Sequence, residues 1–267
     1  MARQVSWNRW RRLAQISIVI LYIAIPLLNR AEHHQVVGTL AALRIGPIDL
    51  IEPAGALSAA LAGRLLVLSL LVGLLPIVVM ALVAGPVFCS WVCPWGLLSE
   101  MIDKVKQKLR PRPWHGRPWV KLRAPRATLL GVLFALGALS GIPIVAILSA
   151  PRLITTLPAE ILYLRILSLT TGGLLLLLLI FELVGPRRLW CRALCPVGTF
   201  ANLVRSRKTL LIRYDVERCL HETPAACHAG CPWGLDPRQI KRFDGCTNCM
   251  VCVEGCPGTA LHPGFGR

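Results

Sequence analysis

The sequence predicts an all-α integral membrane domain of four transmembrane helices, with both termini in the cytoplasm. A small α+β domain follows at the C-terminus. Three observations predict this. The 267-residue chain is 55% hydrophobic and only 16% charged, with a mean hydropathy of +0.60, whereas a soluble domain carries about 25% charge. Four apolar stretches, Leu13–Leu28, Leu65–Ala84, Ala127–Ala150 and Ile166–Val184, contain neither Lys nor Arg. Beyond them the chain turns polar and rich in cysteine.

Taken in order, the first span is short for the roughly 20 residues a crossing needs. Trp7, Trp10 and Tyr22 can anchor it at the interface. It follows a basic N-terminus, so a cleaved signal peptide is the rival reading. No small-x-small site precedes Arg30, which favours an uncleaved anchor. Val36–Ala62 carries Arg44, Asp49, Glu52 and prolines 47 and 53. It reads as an outer-face loop with an interfacial or re-entrant piece, not as a fifth span. Spans two and three are joined by Lys104–Arg126, whose prolines at 111, 113, 118 and 125 argue against a long helix. The four-helix membrane domain runs to about Phe200, so residues 1–200 form the membrane domain and 201–267 a cytoplasmic domain.

The basic residues orient the spans. Four lie at the N-terminus, nine between spans two and three, and twelve from Arg187 onward. Five (Arg30, Arg44, Arg64, Arg152 and Arg165) fall on the other side. The positive-inside rule therefore places both termini in the cytoplasm. The net charge of +17 reports this topology. It does not point to nucleic acid, for which no recognition module is present.

An internal repeat is visible. Span two runs into Gly-Pro-Val-Phe-Cys89-Ser-Trp-Val-Cys93-Pro94-Trp-Gly96, and span four into Gly-Pro-Arg-Arg-Leu-Trp-Cys191-Arg-Ala-Leu-Cys195-Pro196-Val-Gly198. Each block is an apolar helix, Gly-Pro, an aromatic, then Cys-x3-Cys-Pro-x-Gly. This is a duplicated helix pair, too few units for a solenoid. Residues i and i+4 of a helix share a face about 5–6 Å apart, so the two pairs could offer four thiols at the membrane surface. Cys89, Cys93, Cys191 and Cys195 are thus candidates for a third cluster, a redox dithiol pair or a metal site. A stable disulfide is disfavoured in the cytoplasm. The bland alternative is a set of buried small apolar side chains.

The strongest signal is Cys246-Thr-Asn-Cys249-Met-Val-Cys252-Val-Glu-Gly-Cys256-Pro257. In a C-x2-C-x2-C-x3-C-P run three thiolates hold one iron–sulfur cube, and the fourth reaches the other cluster of a two-cluster ferredoxin. Zinc sites favour separated ligand pairs. Upstream lies Cys219-x7-Cys227-x3-Cys231-Pro232. Cluster one is then held by Cys231, Cys246, Cys249 and Cys252, and cluster two by Cys219, Cys227 and Cys256. The second set lacks a fourth thiolate, because Val216 stands where one spacing would want Cys. It is a three-iron (3Fe-4S) cluster, or a cube completed by Asp215, His221, His228 or a membrane-domain thiol such as Cys89.

Four spans, paired Cys-x3-Cys-Pro blocks and a C-terminal ferredoxin segment together resemble the NapH/MauN family, the membrane ferredoxin-type subunits of quinol dehydrogenases. Gly85–Gly96 (GPVFCSWVCPWG) and Trp190–Gly198 (WCRALCPVG) carry the resemblance most clearly. The NosR and CcoG proteins share these blocks in other contexts. Cys219-x7-Cys227 departs from the compact Cys-x2-Cys-x2-Cys common in the family. The resemblance implies two 4Fe-4S clusters and electron flow between the quinone pool and a periplasmic redox system, as in nitrate reduction or methylamine oxidation. The implied partners are a periplasmic ferredoxin-type subunit, a multihaem cytochrome c, or both.

The chain carries no Cys-x2-Cys-His haem attachment site. Quinol oxidation also needs proton acceptors. Glu182, the carboxylate inside span four, is the candidate catalytic residue. Glu32, His33, His34, Asp49 and Glu52 are outer-face alternatives that read more simply as solvated loop residues. Trp91 and Trp95 could flank a quinone. Two rival functions remain open: a CcoG-like assembly factor whose thiols handle copper for an oxidase, and a scaffold with redox-silent clusters.

Overall fold

The computed structural model describes residues 6–30, 36–65, 68–109, 123–164, 168–185, 188–206, 208–220, 231–241 and 244–265. Most of these are helical. Helix α1 (Trp7–Arg30) is long and apolar enough to cross a bilayer over Trp7–Asn29. Three further apolar helices are shorter: α3 (Leu68–Ala84), α6 (Arg123–Ser140, apolar from Arg126) and α9 (Leu169–Val184). Each predicted span thus has a helix, but only the first meets the length criterion. On all four, large apolar side chains face outward, among them Ile20, Val72, Leu136 and Leu177.

Val36–Ala62 divides into a largely exposed sheet and a buried helix. Strands β1 (Val36–Gly38), β2 (Ala42–Ile45) and β3 (Ile48–Ile51) form an antiparallel meander. At Gly73 of α3 an added Cβ would lie 2.8 Å from the Asp49 carbonyl oxygen, so the sheet lies directly on that helix. Helix α2 (Pro53–Gly63) then turns inward. Glu52 caps it, accepting from Ala54 N–H and Gly55 N–H at 2.8 Å each. Glu52 is 3% exposed, which corrects its reading as a solvated residue. A helix start buried this deeply needs its free N–H groups capped, and the carboxylate supplies two bonds.

The second half repeats this plan. After α6 come α7 (Ile144–Ile147) and α8 (Ala150–Ala159), which continues into a π-helical turn, Glu160–Leu164, before α9. The inward helix of each half packs on the first helix of the other, α2 on α6 and α8 on α1. The repeat therefore extends well beyond the cysteine blocks, and its halves interlock.

After α3 and α9 come the cysteine turns, the first holding the short α4 (Phe88–Trp91), and then the amphipathic α5 (Pro94–Leu109) and α10 (Pro196–Leu203). The C-terminal segment adds a two-stranded antiparallel sheet of β4 (Leu211–Tyr214) and β5 (Leu261–Gly264), with a short helix Val251–Glu254. It sits on the same end of the molecule as the start of α1. Asn8 N–H donates to Glu254 at 2.7 Å, and Trp7 meets Trp91 edge to face. The linker proline region lies mostly outside the described residues.

Candidate metal centre

The two cysteine blocks fold alike, and the aromatic residue preceding each first Cys explains how. Cys93 N–H donates to the Phe88 carbonyl at 2.9 Å, and Cys195 N–H to the Trp190 carbonyl at 2.8 Å. Both are five-residue closures of the π type, wider than an α-turn. This differs from the plain i, i+4 helix face anticipated from sequence: the first Cys lies on the wide turn and the second opens the next helix. Pro94 and Pro196 stand at the first positions of those helices, where no N–H is needed. The following N–H groups serve the thiols: Trp95 and Gly96 bond Cys93, and Val197 and Gly198 bond Cys195.

Glycine follows for a steric reason. A Cβ at Gly96 would lie 2.4 Å from the Cys89 carbonyl oxygen. At Gly198 it would lie 3.8 Å from Cys89 Sγ and 4.0 Å from Cys195 Sγ. Sulfurs from the two halves therefore converge there.

All four of these cysteines line one cavity of about 60 Å³. Its other walls include Trp95, Arg126, Arg192, Trp233 and Thr247. Burial pushes the Cys93 thiol up to about 12 and the Cys195 thiol to about 11, although backbone N–H groups oppose the rise. Burial, with repulsion from neighbouring thiols, also holds Cys89 and Cys191 well above the ordinary thiol range. Arg192 is held down to about 10 by burial, with Arg126 next in effect. Two crowded guanidiniums and four thiols suit an anionic, sulfur-ligated group. Among the described residues no three His, Cys, Asp or Glu side chains close on one point as a single ion requires.

The C-terminal segment forms the remaining wall. It is clamped to the end of α3 and the first cysteine turn. Ser90 Oγ donates to the Thr247 carbonyl at 2.7 Å, and Trp91 Nε1 to that of Asn248 at 3.2 Å. Asn248 Nδ2 donates to the Ala84 and Leu210 carbonyls at 2.8 Å each. Arg205, fully buried, donates to the Cys246 and Leu210 carbonyls.

Within this segment Cys231, Cys246, Cys249 and Cys256 share one buried core, with Cys219 and Cys252 packed on it. Burial first, then repulsion from Cys249, pushes Cys246 up to about 12 and raises Cys231 and Cys252, so these four thiols are close neighbours. Cys219 lies beside Tyr214. Cys227, His221 and His228 lie outside the described residues. Asp215 is paired with Arg218 at 3.2 Å. Cys89 lines the four-cysteine cavity, and Cys219 is not among the described residues that line it. Cys191 lies between the cavity and this core, touching both.

Glu182 is fully buried, and both of its oxygens are occupied. Ser99 Oγ donates to one at 2.5 Å and Trp190 N–H to the other at 3.2 Å. The carboxylate thereby ties α5 to the second cysteine turn. Asp49 is ion-paired with Arg44 at 2.7 Å. Glu32, His33 and His34 lie outside the described residues.

Sequence reasoning missed Trp233, Arg126 and Thr247 as cavity residues. A signal for the first was available: Cys93-Pro-Trp95-Gly recurs as Cys231-Pro-Trp233-Gly, and both tryptophans line the cavity. The missed polar network is Glu100 with Arg11, Arg12 and Arg188, extended by Arg188 to Asp103 at 3.2 Å and over the Trp233 ring at 5.1 Å.

Both cysteine-bearing regions match iron–sulfur families. Residues 66–113 match a 4Fe-4S binding domain family and residues 187–262 a 4Fe-4S dicluster domain family. The methylamine utilization ferredoxin-type protein MauN of Methylobacillus flagellatus is 31% identical, over 84% of this chain and 73% of the relative. The putative electron transport protein YccM of Escherichia coli is 27% identical over 95% and 76%. The ferredoxin-type protein NapH of Escherichia coli is 26% identical over 95% and 88%. No solved structure matches. With its two 4Fe-4S regions and its near full-length likeness to these relatives, the chain belongs to the NapH/MauN family of ferredoxin-type electron transport proteins.

Proposed function

We propose that this chain is a membrane-bound iron–sulfur electron-transfer subunit of a quinol dehydrogenase, linking the quinone pool to a periplasmic redox system. The observation that carries it is the shared wall between the four-cysteine cavity and the ferredoxin-like core. Thr247 and Gly245 line the cavity, while Cys246 between them belongs to that core. Redox sites separated by so little protein suit a relay.

The reading has four spans with both termini cytoplasmic. The outward apolar residues of α1, α3, α6 and α9 support it, since a soluble monomer rarely exposes so large an apolar surface. The domains are 1–200 in the membrane and 201–267 outside it. Cluster one takes Cys231, Cys246, Cys249 and Cys252. Cluster two takes Cys219, Cys227 and Cys256, as a three-iron cluster or as a cube with a further ligand. Such clusters supply one-electron transfer at a potential set by charge, hydrogen bonds and exposure. The chain's own part is to fix their spacing. Asn248 and Arg205 hold the cluster-one loop against α3, and Ser90 ties that loop to the first cysteine turn. The partners are a periplasmic ferredoxin-type subunit or a multihaem cytochrome c.

The test is an anaerobic redox titration of the detergent-purified chain, followed by EPR, then mixing with a short-chain quinol. Quinol reduction of at least one cluster signal is expected. Clusters that stay oxidised with quinol, or a purified chain that holds copper or zinc in place of iron, would overturn it.

A further inference from the structure

The 4Fe-4S family match over residues 66–113 contains only two cysteines, Cys89 and Cys93. A four-iron cube takes four thiolates. The fold supplies the other two from the second half, because Cys191 and Cys195 line the same cavity.

The cavity walls have a common chemical character. Trp95 and Trp233 are 1% and 7% exposed, and neither indole N–H has a hydrogen-bond partner among the described residues. The same holds for the Thr247 hydroxyl and the Nε–H of Arg126. Leaving a buried donor unmet costs about 1–3 kcal/mol. Four such groups in one cavity mark a site whose acceptors come from elsewhere. Sulfide and thiolate sulfurs are acceptors, and a thiolate-ligated cluster is anionic, as Arg126 and Arg192 require. The backbone N–H groups behind Cys93 and Cys195 already bond two of the thiols.

We propose that this cavity is a third iron–sulfur site of the four-iron type. Cys89 and Cys93 from one half and Cys191 and Cys195 from the other hold it, and the ferredoxin-like segment roofs it. Neither half can assemble it alone. The inference rests on the electron-transfer reading for its role, but not for its composition. In the relay one electron leaves cluster one and one enters this site, or the reverse, with no bond made or broken. Arg126, Trp95, Trp233 and Thr247 are positioning residues that stabilise the more reduced, more negative state.

The test uses the full chain, purified anaerobically in detergent. Iron and acid-labile sulfide should be about 12 per chain, or about 11 iron if cluster two is a three-iron form. Cys93→Ser and Cys195→Ser should each lose about four iron and the same EPR signal, leaving the ferredoxin signals intact. Arg126→Gln should lower the reduced-to-oxidised ratio of that signal about tenfold at fixed ambient potential, equivalent to about 59 mV for one electron. Arg126→Lys should restore part of it. Iron near 8, or cysteine variants that keep every signal, would overturn the site. If the cysteine variants do not fold, the Arg126 series decides: a shift in one signal alone supports the site, and no shift overturns it. A chain with about 12 iron whose clusters ignore quinol would keep the site and reject the quinol dehydrogenase reading.

Discussion

Cys89 of the first half and Cys195 of the second converge on Gly198, where an added Cβ would lie 3.8 Å from one sulfur and 4.0 Å from the other. The equivalent glycine of the first block, Gly96, faces backbone instead, with the Cys89 carbonyl oxygen 2.4 Å from its Cβ position. The two glycines therefore predict opposite outcomes. Gly96→Ala must displace the first cysteine turn and should lower the thermal midpoint in detergent. Gly198→Ala meets ordinary contact distances and should fold, while changing the EPR line shape of any cluster bound there. Equal destabilisation by both variants would contradict this.

Glu182 separates a structural carboxylate from a proton acceptor. Replacing it with Ala would leave Trp190 N–H and Ser99 Oγ without their acceptor, costing about 1–3 kcal/mol for each buried group. Glu182→Gln retains an amide oxygen and should keep the fold nearly intact. Quinol-driven cluster reduction by Glu182→Gln should then match wild type. A loss of tenfold or more with an unchanged thermal midpoint would assign the proton acceptor role to Glu182.

Glu100 gives a pH dependence with a defined sign. Burial alone would raise its carboxyl, but Arg11, Arg188 and Arg12 outweigh that and hold it below the usual carboxylate range. A carboxyl depressed on folding contributes stability fully above its unfolded value, about 4.3, and loses it as pH falls through the lower folded value. The thermal midpoint should therefore fall as pH drops below about 4.3. Glu100→Gln should be less stable at neutral pH and should lack this part of the acid dependence. An unchanged acid profile in Glu100→Gln would place the stabilisation elsewhere.

Asn248 is the hinge pin of the docked segment. It is fully buried with φ of 50°, a left-handed conformation that Asn tolerates better than most residues. Its amide reaches Ala84 on α3 and Leu210 beyond it. Asn248→Gly keeps the backbone freedom and removes the bonds. Limited proteolysis should release the C-terminal segment faster in Asn248→Gly than in wild type, with the apolar helices still resistant. Equal cleavage rates would show that Ser90 and Arg205 suffice to hold it.

Much of this was legible because it is local. Apolar runs, the ferredoxin spacing and the duplicated blocks are patterns in neighbouring residues, and each maps onto an element seen here. Glu52 shows where that stops. A carboxylate between prolines in a half-apolar outer-face loop reads as solvated, yet the chain folds inward there and uses it as a helix cap.

Sequence alone identifies the family, the apolar helices, the ferredoxin run and the paired thiols. It could not determine that Cys89, Cys93, Cys191 and Cys195 meet in one cavity. That depends on α2 packing across α6 and α8 across α1, contacts between distant residues that no local period encodes. The same holds for Trp233, Thr247 and Arg126, which reach the cavity from separate parts of the chain. Tertiary packing joined two half-sites that carry two thiols each, and only the joined site has the four thiols that a cube takes.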